Sequence, residues 1–152
     1  MEYAQADALN HAIRLLAIRH RSRAGTLLAE LGLHPGQEAI LMLLDAHGPC
    51  TQVQLAAGAG CEPPSVTLMV QKLEAAGLLN RSSSETDGRV LVVELTPAGV
   101  ELMPALKRRW LELAERTVAE LSTSVDQLVS TLGELTHALD NRPSPAPQPR
   151  RS

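Results

Sequence analysis

Aromatic side chains are almost missing from this chain. Tyr3 and Trp110 are the whole set and phenylalanine is absent, so aromatics make up 1% of the 152 residues. That excludes sites built from several stacked rings, such as single-stranded nucleic-acid platforms and aromatic cages. Cysteine is as scarce: Cys50 and Cys61 are too few for a disulfide scaffold or a four-cysteine zinc site. The five histidines, His11, His20, His34, His47 and His137, have no paired i,i+4 spacing. No metal and no cofactor is expected. No apolar run approaches the ~18 residues of a membrane span. The opening MEYAQADALN has neither the basic start nor the apolar core of a secretory signal. The expected compartment is the cytoplasm, with no membrane partner. The chain also lacks a nucleophile–base pair and a phosphate-binding loop, so it is not expected to be an enzyme.

What is plentiful is helix-forming residue. Leucine (26) and alanine (20) dominate. Net charge is −3, with no global bias toward nucleic acid. Its distribution says more. Arg14, Arg19, Arg21 and Arg23 crowd one short stretch. Residues 47–96 carry Lys72, Arg81 and Arg89 against five acidic residues.

Apolar residues Leu9, Ile13, Leu16, Leu27 and Leu31 recur at mostly helical spacing over 5–31, and Gly32 ends the run. Leu33-His34-Pro35-Gly36 opens a second helix, Gln37 to Ala46, and Gly48-Pro49 breaks it. Thr51-Gln52-Val53-Gln54 reads as a capping box and starts a short helix of about eight residues. Glu62-Pro63-Pro64-Ser65 restarts the chain into a helix over 66–76, capped by Gly77. Leu78–Arg81 and Val90–Leu95 are β-rich and flank a polar linker containing Asp87-Gly88, a hairpin signal. Thr96-Pro97-Ala98-Gly99 opens a long helix to about Leu121, which Pro104 should kink. A last helix begins near Ser124 with the heptad-like stripe Val125, Leu128, Leu132, Leu135 and Leu139. From Arg142 the tail is Pro-rich and predicted to be disordered.

This order of elements predicts a mainly α fold with a small β-hairpin wing, a winged helix-turn-helix. The lobe is expected over 35–100, helical dimerisation regions over 5–34 and 105–140, and a disordered tail over 142–152. The helix after the turn would enter the major groove of double-stranded DNA, whose ~12 Å width admits a helix.

The residues of this unit carry a resemblance. Glu62-Pro63-Pro64-Ser65-Val66-Thr67, then Lys72-Leu73-Glu74-Ala75-Ala76-Gly77-Leu78-Leu79, Arg81, Asp87-Gly88-Arg89 and Leu95-Thr96-Pro97-Ala98-Gly99 follow one another in order. Together they resemble the MarR-type (multiple antibiotic resistance regulator) transcription factors over about residues 5–140. The resemblance implies a homodimer in which the first and last helices of each chain interlock. It implies a pseudo-palindromic operator, repression, and a small, often aromatic and anionic effector. The wing reads Asp-Gly-Arg where that family commonly has Asp-Arg-Arg, and Leu68 stands where a basic residue is frequent.

The expected DNA-contacting residues are Pro64, Ser65, Thr67, Gln71, Lys72, Arg81, Asp87 and Arg89. Ser, Thr and Gln can bond base edges or phosphates. Asp87 and Arg89 are two apart on a hairpin, so they share a face and the carboxylate can aim the guanidinium at a narrow minor groove. The excess of acids over 47–96 predicts few phosphate contacts and a shallow salt dependence. For the effector, His20 interrupts the first helix's apolar stripe; with Arg21, His34 and Trp110 it is expected to line a cleft.

Two alternatives come from the same residues. The acidic lobe suits a winged-helix interaction module with weak or no DNA binding. Cys61, just before the reading helix where the helix dipole favours a thiolate, suits redox control. A Cys50–Cys61 disulfide is not expected, because the intervening helix spans ~12 Å against a limit of ~7 Å between Cα atoms.

Overall fold

A computed structural model describes residues 1–83 and 90–140. The described elements are α1 (Tyr3–Ala29), α2 (Gln37–His47), α3 (Gln52–Ala59), α4 (Pro63–Ala75), β1 (Leu79–Ser83), β2 (Leu91–Leu95), α5 (Pro97–Val118) and α6 (Val125–Asp140). The expected element order is therefore present, mainly helical with one hairpin. The chain divides into two compact units at Thr117/Val118. The predicted tail, 142–152, lies outside the described residues.

The first unit holds the core. Ala24, Leu27 and Leu28 from the C-terminal half of α1 are buried with Ile40, Leu41 and Leu44 of α2 and Leu55 of α3. Val66, Val70 and Leu73 of α4, Met103, Leu106 and Leu113 of α5, and Leu33, Cys50, Ala56, Leu79 and Val93 also belong to it. On the helices these positions follow helical spacing, so each helix contributes one face. Across the hairpin, Leu79 pairs with Leu95, Arg81 with Val93 and Ser83 with Leu91, antiparallel. Cys50 adds an isolated bridge: its N–H donates to the Val93 carbonyl at 3.0 Å, and Val93 N–H donates back at 2.8 Å.

Boundaries differ from the sequence reading at the hairpin and at the end of α5. Ser82 and Ser83 belong to β1, not to the linker, because the β2 backbone offers them a ladder that local polarity does not reveal. α5 keeps Pro104 inside it, as expected, and ends at Val118, short of Leu121. Pro104 and Val100 are both exposed, so water can reach the Val100 carbonyl whose helical partner the proline removes.

Local chemistry explains the joints. Thr51 and Gln54 form the expected capping box: Gln54 N–H donates to Thr51 Oγ1 at 3.2 Å and Thr51 N–H to Gln54 Oε1 at 2.8 Å. Gly60 and Gly77, both left-handed, close α3 and α4 with Schellman motifs. Cys61 N–H reaches back to the Ala56 carbonyl at 3.1 Å, and Leu78 N–H to the Leu73 carbonyl at 3.0 Å. Thr96 caps α5 by accepting from Gly99 N–H, while its own hydroxyl donates to the Gly77 carbonyl at 2.6 Å.

The second unit begins at Val118. In its described part, α6 is capped by Ser124, whose Oγ accepts from Gln127 N–H at 3.2 Å. No α6 residue is buried, and Val125, Val129, Leu132, Leu135 and Leu139 all face solvent. No described helix is long and apolar enough to cross a membrane.

Candidate nucleic-acid interface

α3, the Gly60 turn and α4 form a helix-turn-helix. The inner side of α4 is Val66, Val70 and Leu73; its outer side is Pro64, Ser65, Leu68, Gln71 and Lys72, all exposed. The outer residues recur at helical spacing and make one stripe. Among the described residues Lys72 has no ion-pair partner, so its ammonium can meet a phosphate.

Thr67 sits at the edge of that stripe, half-buried. Its hydroxyl donates to Gln52 Oε1 at 2.9 Å and to the Pro63 carbonyl at 3.1 Å. Its proton is therefore shared inside the protein, and toward DNA it offers lone pairs alone. The bond to Gln52 also ties α4 to α3. Arg81 is half-buried on β1, and its Nη2 lies 2.7 Å from Glu74 Oε2 near the end of α4. Its Nε is buried with no partner among the described residues. Arg81 thus fastens the wing's first strand to the reading helix; its charge is turned to Glu74. Asp87 and Arg89 lie outside the described residues.

The expected effector residues do not converge. The cleft on this part of the chain is lined by Leu16, Arg19, His20, Arg23, Leu113, Arg116 and Thr117, with a volume of about 640 Å³. His20 is part of it, and the His20 ring meets Trp110 edge-on at 6.3 Å between centroids. Arg21, His34 and Trp110 are not among the lining residues. Arg21 is one position off the face that carries Leu16, Arg19, His20 and Arg23. His34 sits in the α1–α2 turn, where its backbone N–H donates to Gln37 Oε1. Arg19, Arg23 and Arg116, which the sequence reading did not single out for a cleft, line this one. The first two were findable, because 16, 19, 20 and 23 are the i, i+3, i+4, i+7 positions of one helix face. Arg116 pairs with Glu112 at 2.5 Å, and Glu112 also holds Arg109 at 2.8 Å. Arg19 and Arg23 have no ion-pair partner among the described residues. The cleft is therefore positive with apolar walls.

Both cysteines are free thiols. Burial pushes the Cys50 thiol above its ordinary value, so it stays protonated and unreactive at neutral pH. Cys61, half-buried, donates weakly to the Ala59 carbonyl. Among the described residues no group of three or more His, Cys, Asp or Glu side chains is placed to hold a metal ion.

Residues 33–91, from the start of the α2 turn to the first residue of β2, match the model of the MarR family. The uncharacterized HTH-type transcriptional regulator YfiV of Bacillus subtilis is 31% identical over 113 residues, 74% of this chain and 71% of YfiV. The HTH-type transcriptional repressor NicR of Pseudomonas putida is 25% identical over 120 residues, covering 79% of this chain and 76% of NicR. Among solved structures, Bordetella bronchiseptica BpsR, described for the regulation of its DNA binding by 6-hydroxynicotinic acid, superposes with a TM-score of 0.75. It is 22% identical, over 88% of this chain and 94% of BpsR. With its helix-turn-helix, its hairpin wing and this relationship to YfiV, the chain belongs to the MarR family of HTH-type transcriptional regulators.

Proposed function

We propose that this regulator is a cytoplasmic homodimer that represses transcription by binding a pseudo-palindromic operator, and that a small aromatic anion releases it. The observation that carries the DNA-binding half is the exposed stripe of α4, capped in front by the α3 turn and backed by the core. Ser65, Gln71 and Lys72 stand on the stripe itself. Thr67 and Arg81 work mainly by holding α4 to α3 and to β1. Arg89, with Asp87, would supply the wing's cation. With few cations on the reading face, affinity leans on base-edge contacts more than on counterion release.

Dimerisation is supported by uncovered apolar surface. Leu9, Ile13 and Leu16 of α1 and Val125, Leu132, Leu135 and Leu139 of the α6 stripe are solvent-facing in the single chain. Stable obligate interfaces bury more than ~2,000 Å² and are inseparable from folding. The effector half is supported by the cleft. Its volume is within the range of small-molecule sites, and its three guanidiniums and imidazole suit a carboxylate, with Leu16 and Leu113 for a ring. The acid that acts on BpsR has that chemistry. Repression follows the sign of NicR.

The deciding experiment is selection of bound duplexes from random double-stranded DNA with the purified protein. The expected result is enrichment of a pseudo-palindrome whose half-site centres are ~34 Å apart, one helical turn. A folded, ligand-free protein that enriches no sequence would instead be an interaction module.

A further inference from the structure

On the exposed stripe of α4 the central residue is apolar. Leu68 is 53% exposed, three residues after Ser65 and three before Gln71, so the three side chains lie along one face. Every other large apolar residue of this helix is turned inward: Val66, Val70 and Leu73 are buried, and Met69 packs against the core. Leu68 does not contribute to that core. Thr67, its neighbour, has its hydroxyl drawn toward Gln52 and Pro63 and away from the stripe. A helix that enters the groove with its N-terminal residues leading brings Ser65 and Leu68 deepest.

The C5-methyl of thymine is the only alkyl group on the major-groove edges of the four base pairs. The polar groups there are donors and acceptors that a leucine side chain cannot satisfy. Desolvating them against Leu68 without a partner is unfavourable, so Leu68 also disfavours G·C at that step. We infer that Leu68 is a specificity-determining residue that selects one thymine per half-site by packing on its methyl group. This rests on the DNA-reading role proposed above for α4.

The test uses the full-length protein and the operator obtained by selection. Each thymine of a half-site is replaced in turn, symmetrically in both halves, by deoxyuridine. That deletes the methyl and leaves every hydrogen-bonding group of the base pair in place. Burying one methyl-sized group corresponds to roughly a four-fold effect per contact, so about sixteen-fold for the two half-sites. One thymine position is expected to show this loss with the wild-type protein. Leu68→Ala, on an exposed position of a helix that alanine favours, is expected to bind thymine and deoxyuridine operators equally. Leu68→Met, which keeps an apolar tip, should restore the discrimination. A wild-type protein that binds its operator with sequence preference yet is indifferent to deoxyuridine at every position overturns the Leu68 inference alone. The same holds if Leu68→Ala discriminates as well as wild type. A protein that selects no sequence overturns the DNA-reading proposal itself, and this inference with it.

Discussion

Gly99 is where the end of the reading helix meets the start of α5, and it tests the joint directly. A Cβ built there lands on the Leu78 carbonyl oxygen, well inside the 3.0 Å that real Cβ atoms respect, and 3.2 Å from Leu95 Cδ2. The obstacle is backbone, so no rotamer change relieves it. The segments on either side are also bonded together: Thr96 N–H donates to the Leu78 carbonyl at 3.0 Å and Thr96 Oγ1 to the Gly77 carbonyl at 2.6 Å. Gly99→Ala therefore has to push the chains apart. Overpacking of this kind costs about 1–3 kcal/mol. Weakening the two hydrogen bonds adds roughly 0.5–1.5 kcal/mol each, and alanine's helix propensity returns at most ~1 kcal/mol. The net expectation is a loss of about 1–6 kcal/mol. With a urea slope of ~2 kcal/mol/M, that lowers the unfolding midpoint by roughly 0.5–3 M, measured at fixed protein concentration because the dimer proposed above would couple folding to association. Gly25→Ala is the control. It also sits in a helix, its added Cβ meets Pro35 Cγ at an ordinary 3.4 Å, and its midpoint should stay or rise. A Gly99→Ala protein as stable as wild type would falsify the close-approach account of this motif.

Lys72→Ala should weaken binding to all duplexes by a similar factor and lower the salt slope by about one per half-site, read from binding at several salt concentrations; an unchanged slope removes Lys72 from the phosphate contacts. Leu132→Glu, which puts a charge on the uncovered α6 stripe, should shift sedimentation from a dimer toward the 16.3 kDa chain; a wild-type protein that is already a folded monomer at micromolar concentration refutes the dimer. Because burial raises the Cys50 thiol above its ordinary value, the unfolded chain ionises it first as pH rises. The stabilisation is thus complete below that ordinary value and is lost as pH climbs toward the folded value. Urea midpoints at pH 8 and pH 10 should fall less for Cys50→Ala than for wild type; equal falls dismiss the effect.

The fold was readable because its signals are local and redundant. Thr51 with Gln54, Gly60, Gly77 and Thr96 are residue types with one structural job at their positions, and each does that job here. The site was readable where one helix face decides it, as on α4. It was not readable where the outcome depends on contacts between segments. That Thr67 would turn to Gln52, fifteen residues earlier, and Arg81 to Glu74 requires knowing how α3, α4 and β1 pack. The effector residues were chosen by chemical type and proximity in sequence, which brought in Arg21 and His34. Helix phase selects Arg19 and Arg23 instead, and Arg116 enters only through the packing of α5 beside α1.

The positions of these contacts constrain how a ligand can act. α4 is fastened along its whole length: by the Gly60 turn and the Thr67–Gln52 bond in front, by Glu74–Arg81 and the Gly77–Thr96 bond behind. α5 is tied to the lobe by Lys107–Asp45 at 2.6 Å and to the end of α1 by Arg109–Glu30. A ligand in the arginine cleft touches none of α4. Its leverage is on α1 and α5, which continue rigidly into the core through Leu28 and Leu106. In the homodimer proposed above, the change it would impose is therefore a reorientation of whole lobes, away from the ~34 Å that one helical turn demands, and not a bending of the reading helix. Coupling of ~1–3 kcal/mol reduces operator affinity about 5–150-fold, and operator must weaken the ligand by the same factor. Calorimetric titration of an aromatic carboxylate series with and without operator measures both sides of that equality. Arg23→Ala should lose ligand binding while keeping the operator affinity of the ligand-free protein. A ligand that binds equally well in the presence and absence of operator is not a regulator through this cleft.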